Sequence, residues 1–187
     1  MGAAPVVKMS VEEYLAVDRA AERASEYHDG EMFPLEDVSL RHGRLVNNVA
    51  SQVAERLEGG PCQIVSLIRV RVSPTKFLYP DQTIICGEAA LTDEHADTIT
   101  NPKVIVEVLS PSTKNYDHGE KFALYRRLPS FEEYVLIAQD QPNVEVFRKT
   151  PDGRWLLTIY EGLEAEARLD SLDIALPLAE LYAGTIA

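Results

Sequence analysis

Long apolar runs are missing from this 187-residue chain. None approaches the roughly 20 residues that a membrane-spanning helix needs, so no membrane association is expected. The opening MGAAPVVKMSVEEYL has no apolar core of the kind a secretory signal carries, which makes the cytoplasm the expected location. Cysteine is scarce. Cys62 and Cys86 are the whole supply, and without CxxC spacing they make no zinc site. Both fall in strand-like contexts, where the cytosolic pattern favours buried thiols over a disulfide. Positive charge is also short: 18 Lys and Arg against 30 Asp and Glu leave a net charge of −12. That excludes a generally basic surface that coats nucleic acid, but not a local basic cleft. It also suits a site that collects divalent cations. Internal repeats and low-complexity segments are absent. What is present, 45% hydrophobic and 26% charged residues, is the balance of a soluble globular protein, and one domain over residues 1–187 is expected.

Periodicity and turn chemistry order the chain. SVEEYLAVDRAAERA predicts a helix with a Ser10–Glu13 capping box. SEYHDGEMF predicts a hairpin turning at Asp29-Gly30. Leu45, Val49, Val53 and Leu57 repeat every four residues, predicting a second helix that Gly59-Gly60 stop. CQIVSLIRVRV reads as one strand, with Arg69 and Arg71 opposite Ile68, Val70 and Val72. FLYPDQTIICG reads as a strand entered or interrupted at Pro80. EAALTDEHADTIT reads as a polar connection, and Val104 to Leu109 as a buried strand. DHGEKFALYRRLP predicts a helix capped by Asp117 and Glu120, with Lys121 about one turn in. EYVLIAQ, NVEVFRK, WLLTIYE and EAEARL follow as strands, and PLAELYA as a short helix. Between residues 40 and 139 the order is helix, three strands, helix, strand. The fold class is therefore α/β with a mixed sheet, an N-terminal helix and hairpin, and a C-terminal β extension.

One residue is out of keeping with its strand. Glu107 lies in KVIVEVLSPST among apolar, mostly β-branched neighbours, and a buried carboxylate is costly unless paired. Period two puts Ile105, Glu107 and Leu109 on one face. Lys121 reaches back from the following helix, and Asp81 joins them if its strand is a neighbour. Two hard oxygen ligands beside an ammonium suit Mg²⁺ and phosphate chemistry. The same residues equally describe a partly buried ion pair, and Asp81 after a proline equally describes a strand-end acceptor. Spacing alone does not separate these readings.

YPDQTIICG, followed by NPKVIVEVLSPSTKNYDHGEKFALYRRLPSFEEYVLIAQDQPNVEVFRK, resembles the Uma-type (Uma two) family of bacterial endonucleases. That family belongs to the PD-(D/E)XK, restriction-endonuclease-like superfamily. MSVEEYLAVDRAAERASEYHDGE and LPLAELY resemble it too, so the likeness runs through nearly the whole chain. It implies a restriction-endonuclease-like αβββαβ core. By the same resemblance Asp81 and Glu107 would be metal-binding carboxylates, the Val108 carbonyl a further ligand, and the ion Mg²⁺ or Mn²⁺. The chain departs from the simplest ExK motif, because Leu109 stands where a lysine would complete it; the family recruits its lysine from the next helix, which here is Lys121.

Most of the other residues carry two readings. Glu26 matches an acidic family position that approaches the metal, or is a hairpin surface charge. His42 touches phosphate or assists a proton transfer, or is structural. Tyr125 packs over Lys121. Gln139 faces the cleft, or caps its strand. Arg126 and Arg127 contact a nucleic-acid backbone, or form a solvated helix face. The leading function is a Mg²⁺- or Mn²⁺-dependent DNA endonuclease, catalysed by Asp81, Glu107 and Lys121. The alternatives are a catalytically silent nuclease fold that binds nucleic acid or acts as a dimeric interaction module, and a hydrolase using Asp81 and Glu107 as an acid–base pair. A homodimer is expected.

Overall fold

The computed structural model describes residues 8–185. Residues 1–7, on which part of the signal-peptide reading rests, lie outside the described residues. No helix among the described residues is long and apolar enough to cross a membrane.

The N-terminal elements follow their sequence signals. Ser10 caps α1 (Val11–Ala20): Glu13 N–H donates to Ser10 Oγ, and Ser10 N–H donates to Glu13 Oε2 at 2.7 Å. Strands β1 (Ser25–His28) and β2 (Glu31–Pro34) form a hairpin through Asp29 and Gly30, whose φ values of 50° and 105° fit a primed two-residue turn. Helix α2 (Leu40–Arg56) buries Leu45, Val49 and Val53 against the main sheet.

The strand read as continuous over CQIVSLIRVRV is two strands. Leu67, at φ 52°, swings the chain out of extended geometry, and β3 (Cys62–Ser66) and β4 (Arg69–Ser73) join different sheets. Strand β5 (Lys76–Leu78) stays with β4. After Tyr79-Pro80-Asp81, β6 (Gln82–Cys86) enters the main sheet. Within the expected connection, β7 (Thr98–Ile99) pairs in parallel with β4. Cys62 and Cys86 lie opposite each other in the β3–β6 register and are joined as a disulfide, not held as free thiols. Strand pairing brings them together, a contact that their separation in sequence does not reveal.

Strand β8 (Val104–Leu109) is buried throughout. The capping box expected at Asp117 and Glu120 does not form. The helix starts earlier, as α3 (Lys114–Tyr116), and passes through a π-helical turn (Asp117–Lys121) into α4 (Phe122–Tyr125). Ser110 draws the start forward: its Oγ accepts from Thr113 N–H at 3.1 Å, and its carbonyl accepts from Lys114 N–H at 3.0 Å. Then come β9 (Glu133–Ala138), β10 (Asn143–Lys149), β11 (Trp155–Glu161), β12 (Glu166–Leu169), β13 (Ile174–Pro177) and α5 (Leu178–Leu181). The sequence reading has no counterpart to β13, whose four residues include a proline.

The six-stranded sheet runs β11-β10-β9-β8-β6-β3, and a second sheet runs β2-β1-β5-β4-β7. In the larger sheet β8 and β9 are parallel and the other neighbours antiparallel. This is a mixed α/β fold, with α2, β3, β6, β8, the broken helix and β9 tracing the αβββαβ order. Val104, Val106 and Val108 pack toward α2 and α5. Ile105 and Leu109 pack on the other side with Phe122, Tyr125 and Leu136. Glu107 shares that second face, as period two predicts.

Candidate active site

Strand pairing sets the distances. The β6–β8 register puts Gln82 opposite Val106, so Asp81, one residue before β6, lies beside the end of β8. Its Oδ2 accepts from Val108 N–H at 2.8 Å, and its own N–H points at Glu107 Oε2 at 3.4 Å. Asp81 Oδ1 lies 3.1 Å from His42 Nε2. His42 is in the first turn of α2, where its N–H donates to the Ser39 hydroxyl.

Lys121 is buried and reaches Glu107 across the face. Its Nζ is 2.8 Å from Glu107 Oε1, 3.5 Å from Glu26 Oε1 and 3.7 Å from Asp117 Oδ1, and it donates to the Tyr79 carbonyl at 3.5 Å. The π turn carries Asp117 and Lys121 on one side, while the Asp117 carbonyl accepts from Tyr134 O–H at 3.1 Å. Tyr125 and Lys121 meet on the same Glu107 oxygen. The Tyr125 hydroxyl donates to Glu107 Oε1 at 3.2 Å, and the ring near the ammonium is that of Tyr116, 6.0 Å away.

Charge does not balance here. Glu107, Asp117 and Glu26 surround one buried lysine, and Asp81 lies beyond them beside Glu107. Burial works against the Lys121 charge, but Glu107, Glu26 and Asp117 outweigh it and hold the ammonium well above its ordinary range. Burial pushes Glu107 up despite Lys121, and Asp117 and Asp81 push it further. Glu26 goes the other way. Burial opposes its charge, yet Lys121, His28, the Tyr79 N–H and the Tyr116 hydroxyl together bring it down to about 2. Glu26 is therefore a buried anion of the cluster, not a hairpin surface charge.

Asp81, Glu107, Val108, Lys121, His42 and Gln139 line one cavity of about 540 Å³. Gln139 faces it and accepts from the Ser39 hydroxyl at 3.0 Å. Arg126 and Arg127 do not line it; both are exposed, and Arg126 lies over the Phe122 ring. Tyr79 and Asp117 escape the sequence reading. Asp117 had a signal, four residues before Lys121 on the same helical side. Tyr79 had none, since it acts through its backbone.

The donor set is open. Among the described residues no three His, Cys, Asp or Glu side chains stand at metal-binding spacing. Glu107 Oε2 has only the long contact from Asp81 N–H, so it is the least engaged oxygen of the pair. Two carboxylates with such an oxygen fit a hard divalent ion that keeps several waters, and do not form a closed cage.

A family profile described as "Uma2: Putative restriction endonuclease" matches residues 11–179. The uncharacterized protein sll1609 of Synechocystis is 34% identical over 168 residues, covering 89% of this chain and 95% of its own. The uncharacterized protein slr1290 of the same organism is 30% identical over 183 residues, covering 97% and 95%. A crystal structure described as "a putative nuclease belonging to DUF820" from Anabaena variabilis superposes with a TM-score of 0.76 over 94% of this chain and 98% of that one. At 16% identity, that likeness is one of fold.

Proposed function

The chain belongs to the Uma2 family, and from that premise we propose that it is a metal-dependent nuclease hydrolysing phosphodiester bonds in DNA. The supporting observation is the 2.8 Å contact between Lys121 and Glu107 in the cavity that Asp81 also lines. In this reading the lysine that the ExK position lacks comes from the helix, as Lys121.

In this reading Asp81, Glu107 and the Val108 carbonyl hold Mg²⁺ or Mn²⁺. The bound ion supplies charge neutralisation at a phosphate and acidifies a water. Lys121, held charged by Glu107 and Glu26, orients the attacking water and stabilises negative charge building on phosphate oxygen. His42 orients Asp81 through Oδ1 and the Val108 N–H holds Oδ2, leaving one further lone pair on each oxygen for ligation. Tyr125 holds the Glu107 rotamer.

Incubation of the purified chain with single-stranded, duplex and branched DNA plus Mn²⁺ tests the reading. Wild-type cleavage that Glu107→Ala abolishes supports it; equal cleavage by both overturns it. One observation favours a second reading, a catalytically silent fold that acts as an interaction module for a protein partner. Glu36 and Asp37 line the cavity with the four-carboxylate cluster behind them, in a chain of net charge −12. That reading predicts binding that survives Glu107→Ala, with no Mn²⁺ uptake by calorimetry.

A further inference from the structure

Tyr79 stands where the chain leaves the second sheet for the main one. Strand β5 ends at Leu78 and β6 begins at Gln82, so the main-chain groups of Tyr79 belong to neither strand. Both go to the charged cluster instead. Tyr79 N–H donates to Glu26 Oε1 at 3.2 Å, and its carbonyl accepts from Lys121 Nζ at 3.5 Å. Pro80 follows with its ring-fixed φ, and Asp81 comes next. One residue thus touches two members of the cluster and leads by a stiff step to a third.

What holds Tyr79 lies outside that cluster. Its hydroxyl donates to Asp18 Oδ2 at 2.7 Å and accepts from Arg69 Nε at 2.9 Å. Donating and accepting together fix the direction of the hydroxyl as well as its place. The Arg69 guanidinium also lies 5.4 Å from the ring centroid. Both clamping residues are buried and anchored in turn. Asp18 Oδ1 accepts from Ser25 N–H at 2.6 Å. Arg69 donates to Thr98 Oγ1 at 2.9 Å and pairs with Asp97 at 3.2 Å, and Arg19 holds Asp97 at 2.7 Å. The network ties α1, β1, β4 and β7 together, and Asp18, Arg69 and Asp97 do not line the candidate cavity.

Asp18 and Arg69 already meet directly at 2.7 Å, so their charges do not need the tyrosine hydroxyl. The benefit runs the other way: the pair gives a fixed place to the main chain that carries the ring. We infer that Tyr79 is a positioning residue of the nuclease centre proposed above, a reading on which this inference rests. Its side chain, clamped between Asp18 and Arg69, fixes the main-chain groups that place Lys121 and Glu26, and fixes the approach of Asp81.

Tyr79→Phe removes the hydroxyl alone. The Lys121 ε-ammonium resonance of the full chain, assigned through Lys121→Met, reads the placement directly, and Tyr79→Phe should move it. Ser130→Ala should not, because it loses a hydroxyl bond to the Pro102 carbonyl, beside the end of β8 remote from Glu107. In Mn²⁺-dependent cleavage, Tyr79→Phe should lower kcat by about 10- to 100-fold. The KM for DNA should hold, because the hydroxyl bonds to residues outside the cavity. A Lys121 resonance that Tyr79→Phe leaves in place, or that Ser130→Ala moves as far, overturns the inference. So does a raised KM at unchanged kcat. A wild-type chain that cuts no DNA contradicts the nuclease reading, and the resonance still decides whether Tyr79 places Lys121.

Discussion

Lys121 Nζ lies 2.8 Å from Glu107 Oε1, joining a π-helical turn to the buried central strand. Both side chains are nearly inaccessible, at 8% and 5% exposure, so each depends on the other for its charge to be tolerated. Such a pair is weak evidence for stability in itself, but breaking it is costly.

Lys121→Ala should therefore lower unfolding stability by about 3–5 kcal/mol, because Glu107 and Glu26 stay buried without their cation. Urea denaturation measures this. Mn²⁺ should raise the melting temperature of Lys121→Ala more than that of wild type, since a bound cation substitutes for the missing ammonium. Equal shifts would contradict that expectation.

The sequence shows why Glu107 needs a partner, but not how many groups share it. Period two placed Glu107 with Ile105 and Leu109, and the structure keeps that face. The β6–β8 register then delivers Asp81, which pattern alone left conditional. Glu26 and Asp117 were harder to read. Glu26 sits in a hairpin whose neighbours look like surface, and only packing of the second sheet against the broken helix buries it. Asp117 looked like a cap because a carboxylate three residues before another suggests one. The Ser110 hydroxyl and carbonyl took the helix start instead. Leu67 carried no sign of its positive φ, so one strand was read where two exist.

Arg69 forms a second buried pair, 2.7 Å from Asp18, and also donates to the Tyr79 hydroxyl at 2.9 Å. Arg69→Met should cost about 3–5 kcal/mol by leaving Asp18 unpaired. Adding Asp18→Asn should recover part of that loss, so the double variant is more stable than the sum of the singles implies. Denaturant titration of the full cycle tests this, and simple additivity would contradict it.

Glu133 is fully buried in β9, its Oε2 accepting from the Ser171 hydroxyl at 2.6 Å. Burial, the largest influence, pushes its carboxyl up despite Ser171. The folded chain thus keeps a proton that the unfolded chain has lost. This contribution to stability is present at low pH and falls as pH rises from the ordinary carboxylate value through the raised one. Glu133→Gln should flatten that part of the stability–pH profile and raise the melting temperature at pH 8 more than at pH 4. A parallel offset at both pH values would contradict the assignment.

Asp81→Asn and Glu107→Gln should each weaken Mn²⁺ uptake by about 10-fold or more. His42→Ala should weaken it less, because in this account it orients Asp81 and does not ligate. Calorimetry separates these effects from any loss of fold.

The most direct measurement is Mn²⁺-dependent cleavage of DNA by the wild-type chain alongside Asp81→Ala, Glu107→Ala and Lys121→Met. The account predicts cleavage by wild type, abolished by chelation and by each carboxylate substitution, and strongly reduced in folded Lys121→Met. Cleavage that persists without metal, or that survives Glu107→Ala unchanged, would contradict it.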